Sequence, residues 1–260
     1  MPREHGAWGI LLVPLATGAA AGLSRGGEAS GLAPLCLATL ALFWLRTPLE
    51  SWVGAAPVRA RSAEEFRLVR GAAAGIGAAA AAAAVWLFAG GDRWGLLWIG
   101  VAAGIAFAAQ WWVKRTWRGA RAAAQIVGAA GLTSTAAAAY CVTAGRMDEV
   151  GWAVWAANLL FAGNQIHFVQ LRIHAAHAVD RVAAGRAFLA GQAALAIALA
   201  VGFAAGMPGR YAALAFVPGL VRGFAWFARE RRPLDVHALG KSELAHAIVF
   251  GVLLVAGLVY

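Results

Sequence analysis

Nine apolar stretches, separated by short polar segments, dominate the chain. Each is about 17 to 25 residues long, the length at which a helix crosses roughly 30 Å of hydrocarbon. They lie at residues 7–23, 30–46, 70–90, 94–113, 121–144, 150–171, 186–206, 210–228 and 243–260. Each must form a helix, because a strand in lipid would leave its backbone groups without hydrogen-bond partners. The pattern predicts an all-α integral membrane protein with about nine transmembrane helices.

The composition agrees with this prediction. Hydrophobic residues make up 62% of the 260 residues and charged residues 13%, which is more apolar surface than a water-soluble protein of this size can bury. The polar segments are too short to form a soluble module, so we expect residues 1–260 to form a single polytopic transmembrane domain. We expect the first apolar run to be an uncleaved helix and not a signal peptide.

The positive charges alternate along the chain. Eighteen of the 22 Lys and Arg residues fall in alternate segments, and the other four, Arg25, Arg93, Arg146 and Arg210, fall in the intervening ones. The positive-inside rule therefore predicts a cytoplasmic N-terminus and an external Tyr260. This topology explains the net charge of +10, and no aromatic-plus-basic module is visible, so no nucleic-acid partner is predicted.

Small residues occur at spacings typical of helix packing. Gly18-xxx-Gly22, Gly100-xxx-Gly104, Gly202-xxx-Gly206 and Gly219-xxx-Gly223 would allow close approach of helices, and we interpret all four as packing motifs. Cys36 and Cys141 fall toward the outer ends of their helices, where a disulfide is chemically permitted. We favour their interpretation as small packing residues.

Polar side chains share one face of the sixth helix and its extension. At 100° per residue they cover an arc of about 140°, and they are Asn164, His167, Gln170, His174, His177 and Arg181. Polar groups at this depth face a cavity or another helix, because lipid offers no partner. A water-accessible cytoplasmic pocket and simple hydrogen bonding between helices are the two interpretations.

Two cytoplasmic segments carry most of the remaining charge. Residues 229–246 include Arg232, Lys241, Glu243 and His246, and Ser242 is predicted to cap the last helix with Glu243 in its first turn. In the other segment, residues 64–70 are predicted to form a short helix that leads into the third span, either interfacial or a solvated surface helix. His174 and His177, with His167, could also supply metal ligands from one helix face, although no complete ligand set is recognisable.

The opening Pro2-Arg3-Glu4-His5-Gly6-Ala7-Trp8, which runs into a helix containing Pro14, resembles the YwiC-like bacterial membrane proteins. The similarity extends over most of the chain. The resemblance implies a multi-pass protein of the bacterial cytoplasmic (inner) membrane and assigns no activity.

The nine-helix architecture also resembles the UbiA superfamily of intramembrane prenyltransferases. That resemblance implies a helical bundle with a cavity open to the cytoplasm, and two aspartate-rich motifs that hold Mg²⁺ and a prenyl diphosphate after the second and sixth helices. Neither motif is intact, since the second helix is followed by Glu50, Glu64 and Glu65 and the sixth by Asp180. The low carboxylate density supports Mg²⁺ poorly and leaves the cofactor open.

The leading hypothesis is a UbiA-like protein that binds an isoprenoid or other anionic amphiphile. One version of it also modifies this ligand, and the protein would then be a prenyltransferase-like transferase. His167 or His174 would move protons, and Glu50 or Glu243 would orient a base or a cation. The substrate would be bound by Asn164, Gln170, Arg172, His177, Arg181, Arg232, Lys241 and His5. The alternatives are a transporter, a haem- or metal-binding membrane subunit and an assembly factor.

Overall fold

The computed structural model describes residues 5–52, 62–90, 94–117, 121–176, 180–206, 210–229 and 233–259, without the side chains of 5–7, 121, 122 and 259. These ranges form nine α-helices and no strand. The helices are α1 (His5–Leu23), α2 (Leu32–Trp52), α3 (Ala63–Ala89), α4 (Trp94–Thr116), α5 (Arg121–Ala144), α6 (Glu149–Ala175), α7 (Arg181–Ala204), α8 (Val217–Ala228) and α9 (Val236–Val259); a 3₁₀ helix, Arg210–Phe216, leads into α8.

Seven of these segments are long and apolar enough to cross a membrane by length and composition. They are α2, α3, α4, α5, α7, α9 and the 3₁₀ helix together with α8. The apolar part of α1, Trp8–Leu23, is shorter. Helix α6 is long enough, but its Asn, Gln and His residues lower its hydropathy. The protein is an all-helical, multi-pass membrane protein.

Helices α1 and α5 form the centre of the molecule. Helix α1 packs against α5, α6 and α9, and α5 also packs against α4 and α6. Every residue of the stretch 136–143 in α5 is buried. Pro14 interrupts the hydrogen bonding of α1, and Thr135 of α5 donates its hydroxyl to the nearby Leu11 carbonyl at 3.2 Å. This bond joins α5 to the proline-containing turn of α1 in an apolar setting.

Local capping explains where several helices begin. Ser62 and Glu65 form a reciprocal capping box at α3, so the helix predicted at residues 64–70 forms the first turns of α3 and continues into the third span. Asp148 and Asp180 each accept two backbone N–H groups at the starts of α6 and α7.

The prediction for the start of the last helix was wrong. Helix α9 begins at Val236, two turns before the predicted position, and Asp235 accepts the N–H groups of His237 and Ala238. Ser242 is therefore not a cap, and Glu243 is not in the first turn. The bonds from Ala238 and His237 hold the pKa of Asp235 below its ordinary value, so this cap stays ionised at neutral pH.

Candidate functional site

A cavity of about 450 Å³ lies between α2, α3, α4 and α5, with Leu11 of α1 on its inner wall. Its walls are mainly apolar and include Leu35, Leu42, Leu87, Ile99 and Phe107. Thr39, Ser134, Thr135, Gln110 and Arg46 are the polar residues among those that line it. A space of this size is within the range of pockets that hold one small-molecule ligand.

The helix packing leaves this cavity open on one side. Helix α3 packs closely on α2, and α4 packs closely on α5. No comparable packing joins α3 to α4 in the ranges 62–90 and 94–117. The α2–α3 pair and the α4–α5 pair therefore leave a gap between α3 and α4.

Glycine has opposite roles in different helices. A Cβ at Gly18 would overlap the Ala136 backbone, and one at Gly22 would overlap the Thr143 side chain, so the packing interpretation is confirmed for this pair. It is wrong for Gly100 and Gly104, which line the cavity and have no atom within 4 Å of an added Cβ. These two glycines widen the cavity instead of joining helices.

The second confirmed pair of glycines lies in α8. A Cβ at Gly219 would stand 3.8 Å from the Phe161 ring, and one at Gly223 would overlap the Gln192 side chain.

Both cysteines are free; Cys141 is buried in a core cluster, and Cys36 packs against the same cluster.

One end of the cavity is polar. Arg46 Nε donates to Glu50 Oε1 at 2.9 Å, one turn along α2, and each side chain retains 27% of its exposure. Gln110 of α4 is 8% exposed, and its carboxamide occupies the space that a side chain at Gly128 would fill. Arg46 and Gln110 therefore bring a guanidinium and an amide to the predicted cytoplasmic end of an otherwise apolar space.

The predicted polar face of α6 does not line this cavity. Asn164 accepts a bond from Gln192 of α7 at 3.4 Å, and Gln170 donates to Gln125 of α5 at 2.8 Å. These contacts match the interhelical interpretation of the face. His174 is exposed and its Nδ1 lies 2.8 Å from the Gln170 carbonyl oxygen, and His167 stands edge-on to Phe188 with ring centroids 5.3 Å apart.

A buried ion pair joins α8 to α9. Arg222 Nη1 donates to Glu243 Oε1, and the two side chains are 11% and 6% exposed. Gln165 of α6 donates to the Glu243 backbone carbonyl at 2.7 Å, and the Phe168 ring centroid lies 4.2 Å from the guanidinium carbon. Arg222 Nε and Nη2 and Glu243 Oε2 are buried and have no partner within the described ranges. Glu243 is thus held within the bundle, where it balances an intramembrane arginine.

The other predicted site residues are dispersed. The guanidinium of Arg181 stacks over Trp226 at 3.8 Å and donates to the Arg229 carbonyl at 2.6 Å. Arg172 is half-buried and Lys241 is exposed. His177 and Arg232 lie outside the described residues, as does the side chain of His5. The predicted site residues that the structure describes therefore lie on α2, on α6 and near the ends of α8 and α9. They do not line one pocket together.

Within the described ranges, no three His, Cys, Asp or Glu side chains lie close enough to hold one metal ion. Glu50 and Glu243, the two candidate carboxylates for orienting a cation, pair with Arg46 and Arg222 respectively. The described side chains therefore do not form the two-motif diphosphate cradle of the UbiA proteins.

Sequence reasoning missed Arg222, Gln192 and Gln110. Arg222 is one of the eighteen cations of the alternate segments, although it falls inside the predicted span 210–228, and the two glutamines fall inside other predicted spans. Polar and charged residues within a span are rare and are functional candidates by default, so this signal was available.

The comparisons with known proteins cover the part of the chain that forms the cavity. The family model for YwiC-like proteins matches residues 1–140. The residues that line the cavity run from Leu11 to Ala138, within that match. No curated protein and no solved structure matches the chain. By the extent of the family match, the chain belongs to the YwiC-like family.

Proposed function

We propose that this protein resides in the bacterial cytoplasmic membrane and binds an isoprenoid or other anionic amphiphile. The hydrophobic chain would occupy the cavity between α2 and α5, and the head group would lie at the end marked by Arg46 and Gln110. The observation that carries the proposal is the cavity itself, which is apolar along its walls, polar at one end and open between α3 and α4. An amphiphile could enter it from the bilayer without crossing water.

The charge at the polar end favours an anionic head group. Helices α2 and α4 end at this side, and α3 and α5 begin there. The cations in these terminal turns are Arg46, Arg67, Arg70, Lys114, Arg115 and Arg121, and the acids are Glu50, Glu64 and Glu65. Six cations against three acids give a positive rim, which attracts a negative head group and repels a cationic one.

The proposal concerns binding, and the proton-transfer roles of His167 and His174 stay predictions. Neither residue lines the cavity. A reaction on the bound amphiphile would therefore need to begin at its head group, close to Arg46 and Glu50.

The test fills the cavity and leaves the fold intact. We expect Gly104→Leu to reduce the amphiphile that co-purifies with the protein by at least about tenfold, because the leucine side chain would occupy the volume of the bound chain. Native mass spectrometry with lipid extraction, on detergent-purified protein, measures the occupancy. An added Cβ at Gly104 meets no atom within 4 Å, so the variant should fold.

Gly75→Leu is the matched control. Gly75 is a helical glycine of α3 that is also open to an added Cβ but does not line the cavity. We expect this variant to retain the occupancy of the wild type. Equal occupancy in all three proteins, or no amphiphile in any of them, would overturn the proposal.

A further inference from the structure

We infer that the bound amphiphile is a long-chain monocarboxylate, whose carboxylate contacts the Arg46 guanidinium and the Gln110 carboxamide. This inference rests on the proposed function and narrows its substrate class. Three features of the polar end carry it: the charge balance at Arg46, the buried amide of Gln110, and the distance from these two residues to the far end of the cavity.

The charge balance limits the head group to a small negative charge. Glu50 already neutralises Arg46, and this carboxylate would repel a head group with several negative charges. A diphosphate is usually held with Mg²⁺ by carboxylates, and no three-residue metal group occurs in the described part of the chain. A single carboxylate needs no metal, because a guanidinium has further N–H donors besides the Nε that Glu50 uses.

Gln110 supplies a neutral donor for the same oxygen atoms. Its residue is 8% exposed, and it lines the cavity. The amide nitrogen of a glutamine carries two N–H donors, and a ligand oxygen at this point could accept one of them. Gly128 of α5 leaves the space in which the carboxamide lies.

The two residues occupy equivalent positions in their helices. Helices α2 and α4 run in the same direction across the predicted membrane, and each residue precedes the end of its helix by the same interval, 46 to 52 and 110 to 116. At 1.5 Å per residue, both lie about 9 Å from that end. One head group can therefore lie between them.

The cavity length matches one chain from one leaflet. From Arg46 to Leu35, the outermost lining residue of α2, the helix rises about 16 Å. Half of the hydrocarbon core is about 15 Å thick. A single chain with its carboxylate at Arg46 would therefore extend along the lining residues of α2 as far as Leu35.

The experiment compares chains and head groups in equilibrium binding to the full protein in detergent. The probes are tritiated hexadecanoate, with hexadecanol, geranylgeranoate and geranylgeranyl diphosphate as competitors. We expect the two carboxylates to compete at least about tenfold better than the alcohol and the diphosphate. The stronger of the two carboxylates identifies the chain as acyl or isoprenoid, and either result supports the inference.

Variants test the two head-group residues. We expect Gln110→Leu and Arg46→Met each to weaken hexadecanoate binding about tenfold and to leave hexadecanol binding unchanged. Arg25→Met, which removes an exposed cation that neither lines the cavity nor belongs to the positive rim, should bind hexadecanoate like the wild type.

The two proposals fail in different ways. If the alcohol or the diphosphate binds as well as the carboxylates, or if Gln110→Leu has no effect, the carboxylate assignment is wrong while the cavity proposal stands. If no chain binds, or if chain binding is insensitive to Gly104→Leu, the cavity proposal itself fails.

Discussion

Single small residues decide where the helices of this protein touch and where they separate. Gly18 and Gly22 allow α1 to lie directly against α5, and Gly100 and Gly104 leave space beside α4. The two glycines of each pair are four residues apart in the sequence. The difference between them lies in which helix faces them, and the sequence of one helix does not contain that information.

The tight contact at Gly18 predicts a stability effect. We expect Gly18→Ala to destabilise the protein by about 1 to 3 kcal/mol, because the added Cβ would overlap the Ala136 backbone, which cannot move as a flexible side chain can. Thermal unfolding in detergent would measure it. Gly77→Ala is the control, since nothing lies within 4 Å of an added Cβ there and alanine is the better helix former. Equal melting temperatures for the two variants would contradict the close contact.

Asn158 shows how one polar residue connects helices within the bundle. It is 2% exposed, and its amide donates to the Thr17 hydroxyl of α1 at 2.9 Å and to the Val154 carbonyl at 2.8 Å. With these bonds it needs no cavity or ligand. The same residue type in the same predicted span was compatible with a pocket, so residue type alone could not separate the two interpretations.

At the scale of elements, the helices could be predicted one for one from the sequence. The errors concentrate at the predicted cytoplasmic ends, where α2, α3, α6, α7 and α9 run about one to two turns beyond the apolar stretches. Helical hydrogen bonding continues past the hydrocarbon boundary, whereas the apolar pattern stops there. Arg46 and Glu50 could form their pair one turn apart only because α2 continues to Trp52.

The site was less predictable than the helices. The cavity results from the pairing of α2 with α3 and of α4 with α5, and this pairing depends on contacts between distant parts of the chain. The polar face of α6 was visible in the sequence, but its partners Gln125 and Gln192 are on other helices. Hydrophobic periodicity gives the direction of a side chain from its own helix and does not identify the neighbour that it meets.

The buried pair between α8 and α9 predicts a non-additive response. We expect Arg222→Met to destabilise the protein by about 3 to 5 kcal/mol, because Glu243 would remain buried without its partner. The double variant with Glu243→Met should recover most of the loss, since two apolar side chains carry no buried charge. Unfolding by a denaturing detergent would measure both proteins. If the double variant were as unstable as Arg222→Met alone, the unpaired charge of Glu243 would not be the cause of the lost stability.

At the scale of the whole molecule, the predicted orientation decides which side of the membrane faces the polar end of the cavity. Glu28, between α1 and α2, and Glu64, at the start of α3, are exposed and lie on opposite sides in the predicted topology. We expect a cysteine at Glu28 to react with a membrane-impermeant maleimide in intact cells, and a cysteine at Glu64 to react only after permeabilisation. Cys36 and Cys141 would be replaced by alanine in both proteins. The opposite pattern of labelling would place the N-terminus and the Arg46 end outside.

Because of the gap between α3 and α4, the ligand concentration that governs binding is the concentration in the bilayer. A molecule that enters through this gap partitions from the bilayer, so its binding responds to its mole fraction among the lipids and not to the small amount dissolved in water. Detergent that dilutes the lipid would then empty the cavity even when the total quantity of ligand is constant. Occupancy measured in native nanodiscs should therefore exceed occupancy measured after extensive washing in micelles.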